Sequence, residues 1–218
     1  MRKIWMVLGM VLLLLLSGGA IWVYSNLKDR HPGYQADLKI TGNKPSPLLA
    51  GFAAMPITPA VPDRWTDQNN DARYRPGDGD TFTDGNGNGV FDPVWIAGFS
   101  NSRAANGVHD DVWARTMVID DGTTRLAIVA LDAVGFMNND VIDLRNLIPA
   151  EAGITYAVVA STHTHEGPDL IGLWGKTPLK GGVDPAYLAY VKKQAVLSIE
   201  TAVKNLRPAR LEVAEELT

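Results

Sequence analysis

The stretch Thr155-Tyr156-Ala157-Val158-Val159-Ala160-Ser161-Thr162-His163-Thr164-His165-Glu166-Gly167-Pro168 decides how the rest of the chain is read. Its first half is a short apolar run rich in β-branched and aromatic residues, the pattern of a buried strand. Gly167-Pro168 then stops regular structure. His163 and His165 therefore fall at the end of a core strand, where open α/β sheets place their ligand sites. Residues i and i+2 of an extended segment point the same way, so both imidazoles face one pocket. Imidazole is the commonest metal ligand. Either both histidines bind one ion, or one binds it while the other contacts substrate. A catalytic zinc takes three protein ligands and keeps a position open. The bland alternative, a histidine pair on a surface strand edge, fits less well with the buried strand before it and the small residues Ala160-Ser161-Thr162 around it.

Upstream, Ala114–Asp120 and Arg125–Asp132 are strand-like runs around Asp121-Gly122-Thr123-Thr124, a hairpin signal. Asp132 stands at the tip of the second run. It reads either as a carboxylate orienting a ligand histidine or as a capping residue. Met137–Leu147 has helical spacing, with Asn138 or Asn139 as the cap and Pro149 as the stop. Downstream, residues 167–183 form a Gly/Pro-rich loop. Asp184-Pro185 opens a helix with Leu188, Val191, Ala195, Ile199, Ala202 and Leu206 as its apolar stripe. Tyr187 and Tyr190 read as packing residues. Ala209–Val213 reads as a returning strand. Leu48–Ile57, ended by Thr58-Pro59, is the first core strand. The order β, ββ, α, β, α, β predicts an α/β fold: a mixed β-sheet with packed helices.

Residues 62–94 are polar, Gly- and Asp-rich, and too long for an ordinary connection. Within them Asp84-x-Asn86-x-Asn88-Gly89-x-x-Asp92 matches positions 1, 3, 5, 6 and 9 of a calcium loop. The twelfth position is Trp95, so Asp80 or Asp78 has to supply the missing carboxylate. Such a Ca2+ would be structural, ordering a loop with few apolar residues; the alternative is a plain solvated turn series. His109, in Val108-His109-Asp110-Asp111, reads equally as a metal ligand or acid/base group and as a loop histidine paired with a neighbouring aspartate.

The chain of 218 residues carries a formal charge of -4, four histidines and no cysteine. This excludes disulfides, thiolate metal sites and a Cys nucleophile, and there is no basic patch for nucleic acid. Arg2-Lys3 precede an uncharged apolar run from Ile4 to Leu27, long enough to span a bilayer. Residues 1–26 read as a membrane anchor, with a cleaved signal peptide as the alternative. Trp22 and Tyr24 look like interfacial aromatics. Either way, the remainder of the chain is exported to the periplasmic or extracellular side. Residues 27–48 read as a linker with a short strand at Asp37–Thr41, and 49–218 as the portion that carries the candidate site, with the acidic Gly/Asn-rich segment at 62–94.

From about residue 49 to 175 the chain resembles the N-terminal part of the neutral/alkaline (non-lysosomal) ceramidase family. The resemblance is carried by Ala50-Gly51-Phe52-Ala53-Ala54 with Ile57-Thr58-Pro59, then Gly107-Val108-His109 and Ala114-Arg115-Thr116-Met117-Val118-Ile119-Asp120-Asp121. Ala130-Leu131-Asp132-Ala133 and, most specifically, Ser161–Pro168 complete it; the last is similar to the family's THTHSGP. The resemblance implies a zinc-dependent hydrolase of amide bonds acting on N-acyl sphingosine or a related lipid, with His163 binding Zn2+ and His165 near the substrate. It places the remaining ligands well downstream, so the chain is expected to be incomplete. Pro56 and Glu166 depart from the family pattern, and 62–94 is an insertion. Two other readings compete. One is an amidohydrolase barrel, in which HxH follows the first strand. The other is a non-catalytic, calcium-ordered, membrane-tethered ectodomain.

Overall fold

The computed structural model describes residues 2–41, 46–212 and 214. The chain divides into two compact units, Met1–Asp37 and Leu38–Thr218. The first contains helix α1 (Arg2–Leu27), whose apolar stretch Lys3–Ser25 has 23 residues and a mean hydropathy of 2.4. That is long and apolar enough to cross a bilayer, a property that signal sequences share.

The second unit runs β1 (Leu49–Pro56), β2 (Arg64–Thr66), β3 (Thr81–Thr83), β4 (Trp113–Asp120), β5 (Arg125–Leu131), α2 (Asn138–Leu147), β6 (Tyr156–Ser161), α3 (Pro185–Lys204) and β7 (Arg207–Pro208). Five strands form one mixed sheet in the order β6-β5-β4-β1-β7. Only β5 and β6 are parallel, as a crossover through α2 requires. The β4–β5 turn is held by Asp121, whose carboxylate accepts from the N–H groups of Thr123 and Thr124, with Gly122 at φ 80°.

α2 and α3 cover one face. Ala114, Val118, Ala127, Val129, Leu131 and Ala157 of the strands pack with Leu144 of α2 and Val191, Ala195, Ile199 and Ala202 of α3. Fully burying each larger aliphatic side chain contributes roughly 1.5–3 kcal/mol. α3 approaches β1 so closely that a Cβ on Gly51 would stand 2.0 Å from the Ala202 carbonyl oxygen. Asp184 caps α3 by accepting from the Ala186 N–H, and Pro185 occupies the first turn.

The opposite sheet face carries a row of large apolar side chains, Phe52, Met117, Ile128 and Val158, set side by side by the strand register. Phe52 is 63% exposed there and Val158 39%. The sheet therefore has one sealed and one open face.

Several expectations change. Residues 37–41 contain no strand. The N-cap of α2 is Met137, without a side-chain cap bond, rather than Asn138 or Asn139, which both lie inside the helix. The returning strand is Arg207–Pro208, paired with Leu49 and Ala50 and extended by the bond from Ala209 N–H to the Leu48 carbonyl; Val213 lies outside the described residues. Pro208 fits because β7 is an edge strand and needs no second set of donors. Residues 62–94 hold their own two-stranded sheet, β2 with β3. A chain of rings, Trp65 on Tyr74, Tyr74 on Phe91 and Phe91 on Phe82, gives it a small aromatic core.

Candidate active site

β6 ends at Ser161, and Thr162 N–H still donates to the Leu131 carbonyl. His163 then adopts φ 61°, a left-handed conformation uncommon for a non-glycine residue. The two histidines thus sit in a turn beyond the strand, not on an extended segment as expected. Their imidazoles converge all the same, because the turn swings His165 back: the two Nε2 atoms are 3.4 Å apart. His163 Nδ1 lies 2.7 Å from the Val134 carbonyl oxygen. A carbonyl only accepts, so Nδ1 carries the proton in the neutral ring and Nε2 presents its lone pair.

That geometry suits a metal ion. Two nitrogens bound to tetrahedral zinc at ~2.05 Å stand about 3.3 Å from each other. The donor set is nevertheless short of three, since no group of three or more His, Asp or Glu side chains able to hold an ion occurs among the described residues.

The turn is clamped from the segment 97–103. Gly98, at φ 85°, leaves no room for a Cβ, which would stand 2.5 Å from His165 Nδ1. The Phe99 ring meets the His165 ring edge-on at 4.9 Å. Arg103 donates to the His165 carbonyl at 2.7 Å and to both Glu166 oxygens at 2.6 and 2.7 Å. Behind the turn, the buried Asp169 carboxylate accepts from the N–H groups of Ile171, Gly172, Trp174 and Gly182. These helpers were not legible as site residues. Arg103 lies some sixty positions upstream in no motif, although Asp169 three residues before Gly172 does carry an Asx-turn signal.

His109 and Asp132 are placed apart from the imidazole pair. The His109 side chain is 97% exposed and pairs with Asp110 at 2.6 Å. Asp132 accepts from Trp113 N–H and from Arg115, and the Val134 carbonyl, not Asp132, orients the His163 ring. Both residues line a cavity of about 570 Å³ with Thr58, Asp111, Thr164 and Glu166. This cavity lies beside the histidine turn but is not lined by His163 or His165.

In the insertion, Asp84 accepts from the N–H groups of Gly87, Asn88 and Gly89, which hold its carboxyl below the usual carboxylate range, Gly89 most of all. The Asn86 and Asn88 amides converge on one oxygen of Asp92 at 2.8 and 2.6 Å. Asp80 does not join them. It accepts from Gln68 and Arg75 N–H, which lower its pKa, and so organises the preceding turn. That turn repeats the pattern unseen in the sequence. In both loops the first residue accepts from positions five and six, the third from five and the fifth from seven: Asp67-x-Asn69-x-Asp71 and Asp84-x-Asn86-x-Asn88. In the first loop Arg75 lies between Asp71 and Asp78, where it supplies the positive charge itself. Buried Asp63 ties the second loop down through Gly85 and Asp92 N–H.

Fold and site together define an α/β chain whose chemistry-bearing feature is a pair of facing imidazoles beyond the tip of a parallel strand. No protein-family profile matches it. Among solved structures, the neutral ceramidase from Pseudomonas aeruginosa is similar at a TM-score of 0.51 and 18% identity, over 76% of this chain and 23% of that one. A ceramidase complexed with C2 matches at a TM-score of 0.51 and 18% identity, over 75% of this chain and 22% of its own. The chain thus spans under a quarter of the length of these ceramidases, and the likeness is one of fold.

Proposed function

We propose that this chain carries the histidine part of a zinc-dependent site hydrolysing amide bonds in lipid N-acyl substrates. The observation that carries the reading is the 3.4 Å approach of His163 Nε2 to His165 Nε2, with His163 Nδ1 held on Val134. The ceramidase-like fold supports the substrate class. His163 would hold the ion through Nε2. His165 would either share it or bind the scissile carbonyl and move a proton. A bound zinc lowers the pKa of its water toward ~7 and polarises a carbonyl. Two imidazoles can hold zinc with water completing its coordination, and any third protein ligand would lie outside the described residues. α1 fits an exported protein held at the membrane, with the second unit on the periplasmic or extracellular face.

The test is zinc content of the full chain beside a His163→Ala, His165→Ala double variant, followed by turnover of N-acyl amides. Zinc that the double variant loses supports the site. Equal zinc in both, or none in either, sinks it and leaves the calcium-ordered ectodomain as the better reading.

For the insertion we propose Ca2+ between Asp84, Asn86, Asn88 and Asp92, on the convergence of both amides upon Asp92. Their amides would turn to present oxygen. Millimolar Ca2+ should raise the melting temperature of the wild type but not of Asp84→Ala. An equal response, or none, refutes it.

A further inference from the structure

Residues 96–103 form a closed hairpin that lies against the histidine turn. Ile96 N–H donates to the Arg103 carbonyl at 2.9 Å, and Trp95 bridges Ala104 at its base. Three of its residues hold left-handed φ: Gly98 at 85°, Phe99 at 55° and Ser102 at 66°. For Phe99 and Ser102 that conformation is uncommon and persists only where the surroundings enforce it. Here they do so from three sides. Tyr74 N–H donates to the Ser102 carbonyl at 2.7 Å, and Arg73 Nε to Ser100 Oγ at 3.2 Å. Ser102 N–H donates to the Gly175 carbonyl, and Gly175 N–H to the Asn101 side chain. Ala97 N–H donates to the Gly167 carbonyl, just past the histidine turn.

The two imidazoles are held by different means. A ligand histidine is normally oriented by a hydrogen bond from its other ring nitrogen. His163 has that bond, from Nδ1 to the Val134 carbonyl. Among the described residues His165 Nδ1 has no such partner. It lies instead where a Gly98 Cβ would stand 2.5 Å away, with the Phe99 ring edge-on and Arg103 on its own carbonyl. All three supports come from the hairpin. We propose that the hairpin 96–103 holds the His165 ring against His163 before any ion arrives, with Arg103 as the positioning residue. Glu166, which departs from the THTHSGP pattern, then keeps the Arg103 guanidinium in place. The inference deepens the zinc reading and rests on it only for the metal arm of the test.

The experiment uses the full chain in detergent micelles, with histidine and phenylalanine isotope-labelled. Without metal, the wild type should show a nuclear Overhauser effect between the Phe99 and His165 rings, whose centroids are 4.9 Å apart. Arg103→Met keeps the aliphatic stem and removes the donors. It should lose that signal while a cooperative thermal transition remains. Tyr187→Phe, weakened elsewhere in the core, should keep it. Zn2+ is then titrated against a competing chelator, where charge and position predict opposite signs. Removing a cation beside the site would tighten Zn2+ binding. Losing the positioning contact should weaken it at least tenfold, the scale for outer partners of metal ligands. Glu166→Ala should change it less than about threefold, because that exposed charge is screened. Phe99→Ala removes a ring that is 79% exposed, so the fold does not depend on it, and should weaken Zn2+ more than Glu166→Ala does. A retained ring-to-ring signal in Arg103→Met overturns the proposal. So does Zn2+ bound by that variant as tightly as by the wild type, or a larger loss in Glu166→Ala than in Phe99→Ala. A wild type that takes up no Zn2+ sinks the zinc reading alone, and the metal-free signal still decides this one.

Discussion

Arg103 holds both carboxylate oxygens of Glu166 with one nitrogen and the carbonyl of His165 with another, so one side chain ties down the backbone of His165 and the side chain of the residue after it. Arg103 is 17% exposed and Glu166 69%. The carbonyl contact is thus the better shielded of the two, and the ion pair is screened by water. Arg103→Ala should cost about 1.5–3 kcal/mol in urea unfolding, the range for hydrogen bonds to charged groups. Glu166→Ser should cost less than ~1 kcal/mol. The reverse order would place the clamp in the ion pair.

Asp169 is 1% exposed and is the acceptor for four N–H groups of the loop that follows the histidine turn. Asp169→Ala leaves those donors buried without partners, at roughly 1–3 kcal/mol for each group that water cannot reach. The expected result is a loss of several kcal/mol, or failure to fold, with Asp169→Asn recovering part because one amide oxygen still accepts. A fall in urea midpoint no larger than that of Glu166→Ser would mean that water satisfies the loop.

The features legible in the sequence differ from the hidden ones in range. Strands β1, β4, β5 and β6, the β4–β5 turn, α3 with its Asp184-Pro185 start and the histidine pair are local patterns, readable from spacing and turn chemistry. The Val134 and Arg103 contacts join positions far apart in the chain, and no local pattern encodes them. Asp132 reads two ways because a strand-tip carboxylate beside a histidine strand has two candidate partners nearby, an imidazole and a guanidinium. Arg115, two residues along the adjacent strand from the Trp113 N–H that Asp132 also binds, is the better placed. The insertion reads only as loop because its core is four rings spread over 27 positions, Trp65 to Phe91, too sparse for any periodicity.

The two sheet faces should respond differently to truncation. Leu144 is fully buried in the core between α2 and the sheet, whereas Phe52 is 63% exposed on the open face. Leu144→Ala should cost about 2–5 kcal/mol. Phe52→Ala removes the larger side chain but should cost less than ~1 kcal/mol, as surface substitutions do. If thermal unfolding finds the Phe52 variant equally damaged, something covers the open face in solution.

Acid should act on the insertion through Asp80 and Asp84. Backbone N–H bonds hold both below the ordinary 3.8. A lowered folded pKa gives stability that is present above pH 3.8 and lost as pH falls through the folded values. The aromatic circular dichroism of the Trp65–Tyr74–Phe91 cluster should therefore hold at about pH 5 and fade below pH 3.8. Asp84→Ala should shrink that acid transition. A signal lost already between about pH 5 and 7 would assign the change to histidine instead.

Alkali should act on the other end of the core, through Tyr187. Burial is the larger cause that pushes its phenol well above the ordinary 10.0, and the nearby Tyr190 adds to it. The neutral form is the one that donates to the Ile57 carbonyl, tying α3 to the end of β1. A raised folded pKa means that this contribution is complete below pH 10.0 and declines as pH rises beyond it, because the unfolded phenol ionises first. The melting temperature should therefore be flat across neutral pH and fall above pH 10.0, more steeply than in Tyr187→Phe. Tyr187→Phe should also lose about 1 kcal/mol at neutral pH for the missing bond. Parallel pH profiles in the two proteins would show that the ring is ionised without hindrance, and that the first turn of α3 opens to water in solution.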